Sequence, residues 1–178
     1  MNNDIKEVLY NEDQLNDKIR QMGAKISNDY SGKELILIGV LKGSVVFMSD
    51  LIKQITIPCK MDFMAVSSYG SSTETSGVVR ILKDLDFDIQ GKDVLIVEDI
   101  IDSGVTLKYL MKYLSARKPS SLEIICLLNK PSRRTVDIEV KYLGYNVPDY
   151  FLVGFGLDFA EKYRNLPYVG ILKEEIYK

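Results

Sequence analysis

Apolar residues recur along this chain in two rhythms. Residues 11–30 carry Leu15, Ile19, Met22 and Ile26 at intervals of three and four, which predicts an amphipathic helix capped by Asn11 or Asp13. Ser31-Gly32 marks a turn. Residues 34–41 (ELILIGVL), 60–67 (KMDFMAVS), 92–97 (KDVLIV) and 121–128 (SLEIICLL) are short apolar runs rich in Ile, Val and Leu. Such runs suit strands buried on both faces, as in a parallel sheet. Between them, residues 44–54 and 106–116 read as helices, the second stopped by Lys118-Pro119. Strand, helix, strand at this spacing predicts βαβ units and an α/β fold. Residues 78–82 fit a strand returning antiparallel to 60–67. Two further apolar runs, 138–143 and 150–155, flank a turn expected at 144–148. No repeat or linker interrupts the chain, so one domain over residues 1–178 is expected.

Two segments break the rhythm. Residues 67–77 (SSYGSSTETSG) are small, polar and glycine-bearing, which fits either a surface loop or a mobile lid. Residues 94–107 (VLIVEDIIDSGVTL) run from a buried strand across the edge of the sheet where ligands of parallel sheets sit. The strand is expected to end at Glu98 and Asp99. Adjacent carboxylates inside a strand point to opposite faces, but a loop beginning there lets both face one cleft. Acids in that position suit sugar hydroxyls and Mg2+. Asp102-Ser103-Gly104-Val105-Thr106 then leads into a helix, with backbone N–H groups and the positive end of a dipole available to a phosphate. The two halves match the two ends of a ribose 5-phosphate. The plainer alternative makes Glu98 and Asp99 solvated acids and Asp102 a helix N-cap.

Composition narrows the chemistry. Among 178 residues there is no histidine, which removes Ser-His-Asp, Cys-His and histidine-zinc sites; a general base must be a carboxylate, lysine, tyrosine or cysteine. Cys59 and Cys126 form no CxxC pair and read as reduced packing residues. A net charge of −2 argues against a nucleic-acid partner, which would favour a basic surface. The acidic N-terminal stretch does not resemble a signal peptide, and no apolar run reaches the roughly 18 residues of a membrane span. A soluble cytoplasmic protein without a membrane partner is expected.

The apolar-strand, acid-acid, apolar-apolar, Asp-Ser-Gly-x-Thr pattern of residues 94–107 resembles the phosphoribosyl-pyrophosphate motif of type I phosphoribosyltransferases, in the form of their hypoxanthine-guanine branch. The resemblance runs from about Leu35 onward through four more segments: Leu41-Lys42-Gly43-Ser44, Ser67-Ser68-Tyr69-Gly70, residues 127–134 (LLNKPSRR) and residues 149–158 (DYFLVGFGLD) continuing to Arg164. It implies a mainly parallel sheet flanked by helices, with a mobile hairpin lid and a small hood from the terminal segments. It implies purine salvage: transfer of ribose 5-phosphate from 5-phosphoribosyl 1-pyrophosphate to hypoxanthine and guanine, with Mg2+ as cofactor and a homodimer or homotetramer as the assembly. By the same resemblance Asp102 is the general base, while Glu98, Asp99, Ile100, Ile101, Asp102, Ser103, Gly104, Val105 and Thr106 hold the phosphoribosyl group. Glu98 and Asp99 also serve the metal. Lys130, Phe151, Leu152 and Asp158 hold the purine, with Arg134 supporting from behind. Lys42, Gly43 and Arg164 receive pyrophosphate, and an unusual peptide bond is implied at Leu41-Lys42. Ser68 and Tyr69 close the lid. Tyr150 stands where a lysine is frequent and Asn129 where an acid is frequent, differences that bear on base preference. Two rival readings are a regulatory RNA-binding protein on the same fold and a transferase preferring xanthine.

Overall fold

The structure, a computed structural model, describes residues 1–68 and 79–178, with the backbone alone at Ser68. Its main element is a six-stranded sheet in the order β4-β3-β2-β5-β6-β7. Strands β2 (Leu35–Leu41), β3 (Cys59–Ser68), β5 (Asp93–Ile101), β6 (Ser121–Asn129) and β7 (Tyr142–Asn146) run parallel, and β4 (Val79–Lys83) pairs antiparallel with β3 at one edge.

The buried runs alternate between two cores. Leu35, Leu37, Leu95 and Val97 face α1 (Glu12–Asp29) and α2 (Ser44–Ile52). Ile36, Ile38, Val94 and Ile96 face α3 (Val105–Ser115) through Leu107, Leu110 and Leu114. Helix α1 buries the expected stripe Leu15, Ile19, Met22 and Ile26; each such side chain contributes roughly 1.5–3 kcal/mol by leaving water. Its cap is Asn11, whose side chain accepts the Gln14 N–H at 2.9 Å while the Gln14 side chain accepts the Asn11 N–H.

A second sheet, β1-β9-β8, joins the two ends of the chain into the expected hood. Strand β1 (Ile5–Tyr10) and β8 (Leu152–Val153) both pair antiparallel with β9 (Val169–Leu172). The Tyr163 hydroxyl donates to Asp4 at 3.0 Å, adding a tie between the segments. A short helix α4 (Glu174–Tyr177) follows.

Three expectations are corrected. Strand β5 does not end at its acids; it continues through Ile101, paired with Asn129 of β6, so Glu98 and Asp99 lie inside a strand. The turn expected at 144–148 lies partly within β7, where Gly144 is required because a Cβ there would sit 2.3 Å from the Leu127 carbonyl oxygen. The apolar run at 150–155 contributes a strand of only two residues, while β1 and β9 form from segments with no strong alternation.

Candidate active site

The carboxyl ends of the parallel strands open onto two neighbouring spaces. One is a cleft of about 460 Å3, reached by Lys42, Asp99, Asp102, Lys130, Phe151 and Arg164. The other is a recess of about 210 Å3 reached by Glu98, Ile101, Ser103, Gly104 and Thr106. Ile100 and Asp102 border both. Gly43, Leu152 and Asp158 also face the cleft. Val105 opens helix α3 without lining either space. Ser68 ends β3, its side chain not described, and Tyr69 lies outside the described residues, so the lid assignment rests on sequence alone.

Because Glu98 and Asp99 belong to a strand, they do not share one cleft, contrary to expectation. Asp99 points toward α2: a Cβ on Gly43 would come within 1.9 Å of its Oδ2. Glu98 points toward α3 and the recess. Both carboxyls are buried, at 8% and 9% exposure. Burial raises the Glu98 carboxyl well above the usual range, and the Asp99 charge adds to the rise. Burial likewise lifts Asp99 to about 6, against the opposing N–H of Ile100, which donates to its Oδ1 at 2.8 Å. Each acid is therefore costly to ionise until a cation or a hydroxyl donor arrives.

The recess is built on the start of α3. Gly104 sits at φ +83° and caps the helix with no side-chain bond, so Asp102 is not the N-cap and its carboxylate is left for other work. The first intrahelical bond runs from the Lys108 N–H to the Gly104 carbonyl at 2.9 Å, so the earlier amides have no intrahelical partner at the positive end of an eleven-residue helix, and that of Val105 donates to Ser103 Oγ at 3.4 Å. The carbonyl of Ser103 accepts the Thr135 N–H at 3.1 Å, which fixes the loop from behind. Arg134 lies under Gly104, its Nη2 donating to Asn129.

At the other end of the cleft, Lys130 is 6% exposed. Its backbone N–H is bound to the Ile101 carbonyl at 3.0 Å, so its position follows from the joined ends of β5 and β6. Its Nζ stands 3.7 Å from Asp102 Oδ1 and 3.9 Å from Asp149 Oδ1. Asp149 also accepts from Arg133 Nε at 2.5 Å. Asp149 and Arg133 were given no role from sequence; a Pro-Asp pair just before Phe151 was the available signal. Phe151 brings an aromatic ring to this end, with Leu152 beside it in β8.

Arg164 closes the third side. Its Nη1 donates to the Gly156 carbonyl at 2.8 Å, and its Nη2 pairs with Asp158 Oδ1 at 2.8 Å. Lys42 follows the cis Leu41–Lys42 peptide, in the place where an unusual peptide bond was implied. Its Nζ lies 3.0 Å from Glu161, which also reaches Arg164 at 3.4 Å. Two cations thus converge on a carboxylate at the surface of the cleft, a geometry that also suits a multiply charged anion.

Among the described residues, no group of three or more His, Cys, Asp or Glu is arranged to enclose a metal. Mg2+ commonly takes one or two carboxylates and completes its shell with phosphate oxygens and water. The hard oxygens of Asp99 and Asp158, both facing the cleft, are donors of that kind. No helix is long and apolar enough to cross a membrane among the described residues.

Residues 7–160 match the family model described as the phosphoribosyl transferase domain. The chain is 54% identical over 177 residues to a hypoxanthine-guanine phosphoribosyltransferase of Staphylococcus aureus, covering 99% of each. It is 52% identical over 177 residues to the bifunctional protein TilS/HprT of Listeria monocytogenes, covering 99% of this chain but only 27% of that longer protein. The crystal structure of a hypoxanthine phosphoribosyltransferase from Staphylococcus aureus superimposes with a TM-score of 0.98 at 53% identity, covering 100% of this chain and 97% of that one.

Proposed function

The chain belongs to the phosphoribosyl transferase domain family, and from that premise we propose that it transfers the 5-phosphoribosyl group of 5-phosphoribosyl 1-pyrophosphate to N9 of hypoxanthine and guanine. The products are IMP or GMP and pyrophosphate, and residues 1–178 act as one transferase unit. The observation that carries this reading is the buried Lys130 ammonium 3.7 Å from the Asp102 carboxylate, where cleft and recess meet. A donor and an acceptor side by side match one edge of a 6-oxopurine, whose O6 accepts and whose N7–H donates. Adenine offers an amino group where Lys130 needs an acceptor.

The residue roles follow from that pairing. Amides and hydroxyls from Ser103 to Thr106 hold the 5′-phosphate in the recess. Phe151 stacks on the base and Leu152 reads its edge through the backbone. Lys42, Gly43 and Arg164 receive pyrophosphate. As N9 bonds to the anomeric carbon, the bond from that carbon to the pyrophosphate oxygen breaks. The N7 proton passes to the Asp102 carboxylate, and Lys130 donates to O6. Glu98 and Asp99 hold the ribose hydroxyls from the two faces of β5, and Asp99, with Asp158 across the cleft from it, would hold Mg2+, while Glu98 faces the recess instead. When bound, Mg2+ supplies charge neutralisation at the leaving pyrophosphate. Ser68 and Tyr69 shield the sugar from water as the lid closes. The reading extends to a cytoplasmic homodimer or homotetramer, the common condition of soluble enzymes.

The test is a spectrophotometric assay with 5-phosphoribosyl 1-pyrophosphate, Mg2+ and each of hypoxanthine, guanine, xanthine and adenine. Turnover with the first two is expected, and turnover confined to adenine would overturn the Lys130 pairing. Asp102→Asn should lower kcat by roughly 10²–10⁴-fold with donor binding kept. Full turnover in that variant would remove Asp102 as the base.

A further inference from the structure

Tyr177 has no motif around it; it sits in KEEIYK, a segment that sequence reading assigns nothing. The hood nevertheless carries it to the cleft, where it lines the same wall as Phe151. Its ring stacks on Phe151 with centroids 4.8 Å apart and planes at 27°. Phe159 meets Phe151 edge-on, at 5.4 Å and 89°. The backbone beneath is pinned as well, since the Phe151 carbonyl accepts the Leu172 N–H at 2.8 Å. Tyr177 and Ile176 pack against the hood core of Val153, Tyr163, Leu166 and Leu172. One face of Phe151 is therefore covered and one edge is held, while the residue still borders the cleft.

We propose that Tyr177 is a positioning residue for the purine: its ring braces Phe151, so that α4 sets the firmness of the aromatic wall on which the base stacks. The inference rests on Phe151 being that wall, as proposed above. Its physical content is preorganisation. A phenylalanine held in one orientation has no rotamer freedom left to lose when the base arrives, whereas an unbraced ring must be ordered at the expense of affinity. The effect should fall first on the base, because Tyr177 stacks directly on Phe151, whereas Lys42 and Arg164 are held by Glu161, Asp158 and the Gly156 carbonyl.

Tyr177→Ala is expected to raise the KM for hypoxanthine by roughly three- to tenfold. The KM for 5-phosphoribosyl 1-pyrophosphate and kcat should each stay within about twofold. Tyr177→Phe, which keeps the ring, should restore the wild-type value. Tyr177→Leu keeps apolar bulk without a stacking face and is the variant to use if the alanine protein does not fold; its KM for the base should also rise. Equal changes in both KM values, or a loss confined to kcat and thermal stability, would reduce Tyr177 to a structural residue. A fall in the KM for the base would place Tyr177 on the face that the base itself uses and would overturn the bracing role. Phe151→Ala separates the two levels of the argument. If it leaves the KM for the base unchanged, Phe151 is not the wall and the functional reading itself is at fault. If it raises that KM while Tyr177→Leu and Tyr177→Ala do not, only the bracing fails.

Discussion

Asp99→Asn should make the ligand-free protein more stable while damaging the enzyme, and the size of the gain can be worked from the structure. The Asp99 carboxyl ionises at about 6 in the folded chain against an ordinary 3.8, chiefly because burial withdraws it from water. At ~1.4 kcal/mol for each tenfold, the ionised form costs the fold about 3 kcal/mol at pH 8. The sign follows from proton binding. Between about pH 4 and 6 the folded state keeps a proton that the unfolded state has released, so wild-type stability declines as pH rises through that window and levels off above it. Asparagine keeps the size of the side chain and an oxygen for the Ile100 N–H, and it does not titrate. The variant's advantage should therefore be near zero at pH 3.5, grow through pH 5 and reach about 3 kcal/mol at pH 8, or roughly 6–12 °C in Tm for a chain of this size. Urea melts of both proteins in chelator, at four or five pH values, measure the difference directly. Parallel stability curves, or a variant less stable at pH 8 than the wild type, would refute the argument that Asp99 is held against its solvation. Activity should move the other way, because on the proposed reading the destabilising charge is the one that meets ribose and metal.

The remaining predictions concern the rim of the cleft. Gly156→Ala should cost on the order of 2–4 kcal/mol and most of the activity, because Gly156 sits at φ +99° with its would-be Cβ 2.1 Å from the Gly43 carbonyl oxygen; a variant with wild-type Tm would contradict this packing. Glu161→Gln should tighten pyrophosphate binding by roughly two- to tenfold at low salt, since it removes the carboxylate that Lys42 and Arg164 share, and product-inhibition constants measure it. These groups are largely exposed on the Lys42 and Glu161 side, so the effect should shrink at high ionic strength. An unchanged constant at low salt would show that Glu161 does not compete with the product.

The central sheet was legible because burial on both faces leaves a signature that needs no context: ELILIGVL, KDVLIV and SLEIICLL are strands that no exposed segment could afford to be. The hood was implied by the resemblance, but its strands were hidden from the pattern for the opposite reason. Strand β1 has the burial pattern of an edge, with Lys6, Glu7 and Val8 exposed, and it becomes a strand only because β9 arrives from the far end of the chain to pair with it. Strand β8 is two residues long and owes its form to that same partner. Long-range pairing of weakly patterned segments is decided by tertiary contacts, which local propensity does not contain.

The site shows the same division at the scale of single residues. The acid pair and the helix-start loop could be found in VLIVEDIIDSGVTL, but how far β5 continues could not, because its last residues are held by β6 through Ile101 and Asn129. That extension changes the chemistry. Two acids on one loop would form a single anionic patch; two acids on opposite faces of a strand serve two compartments, Asp99 the cleft and Glu98 the recess. On the functional reading, the sugar bridges the strand end, its phosphate in the recess and its anomeric carbon toward the cleft. Asp102, bordering both and released from capping by Gly104, then stands where a base entering from the Lys130 side meets that carbon. A charge confined to either compartment would lack this view of the reaction. The position of Asp102 at the divide, more than its acidity, is what the extended strand provides.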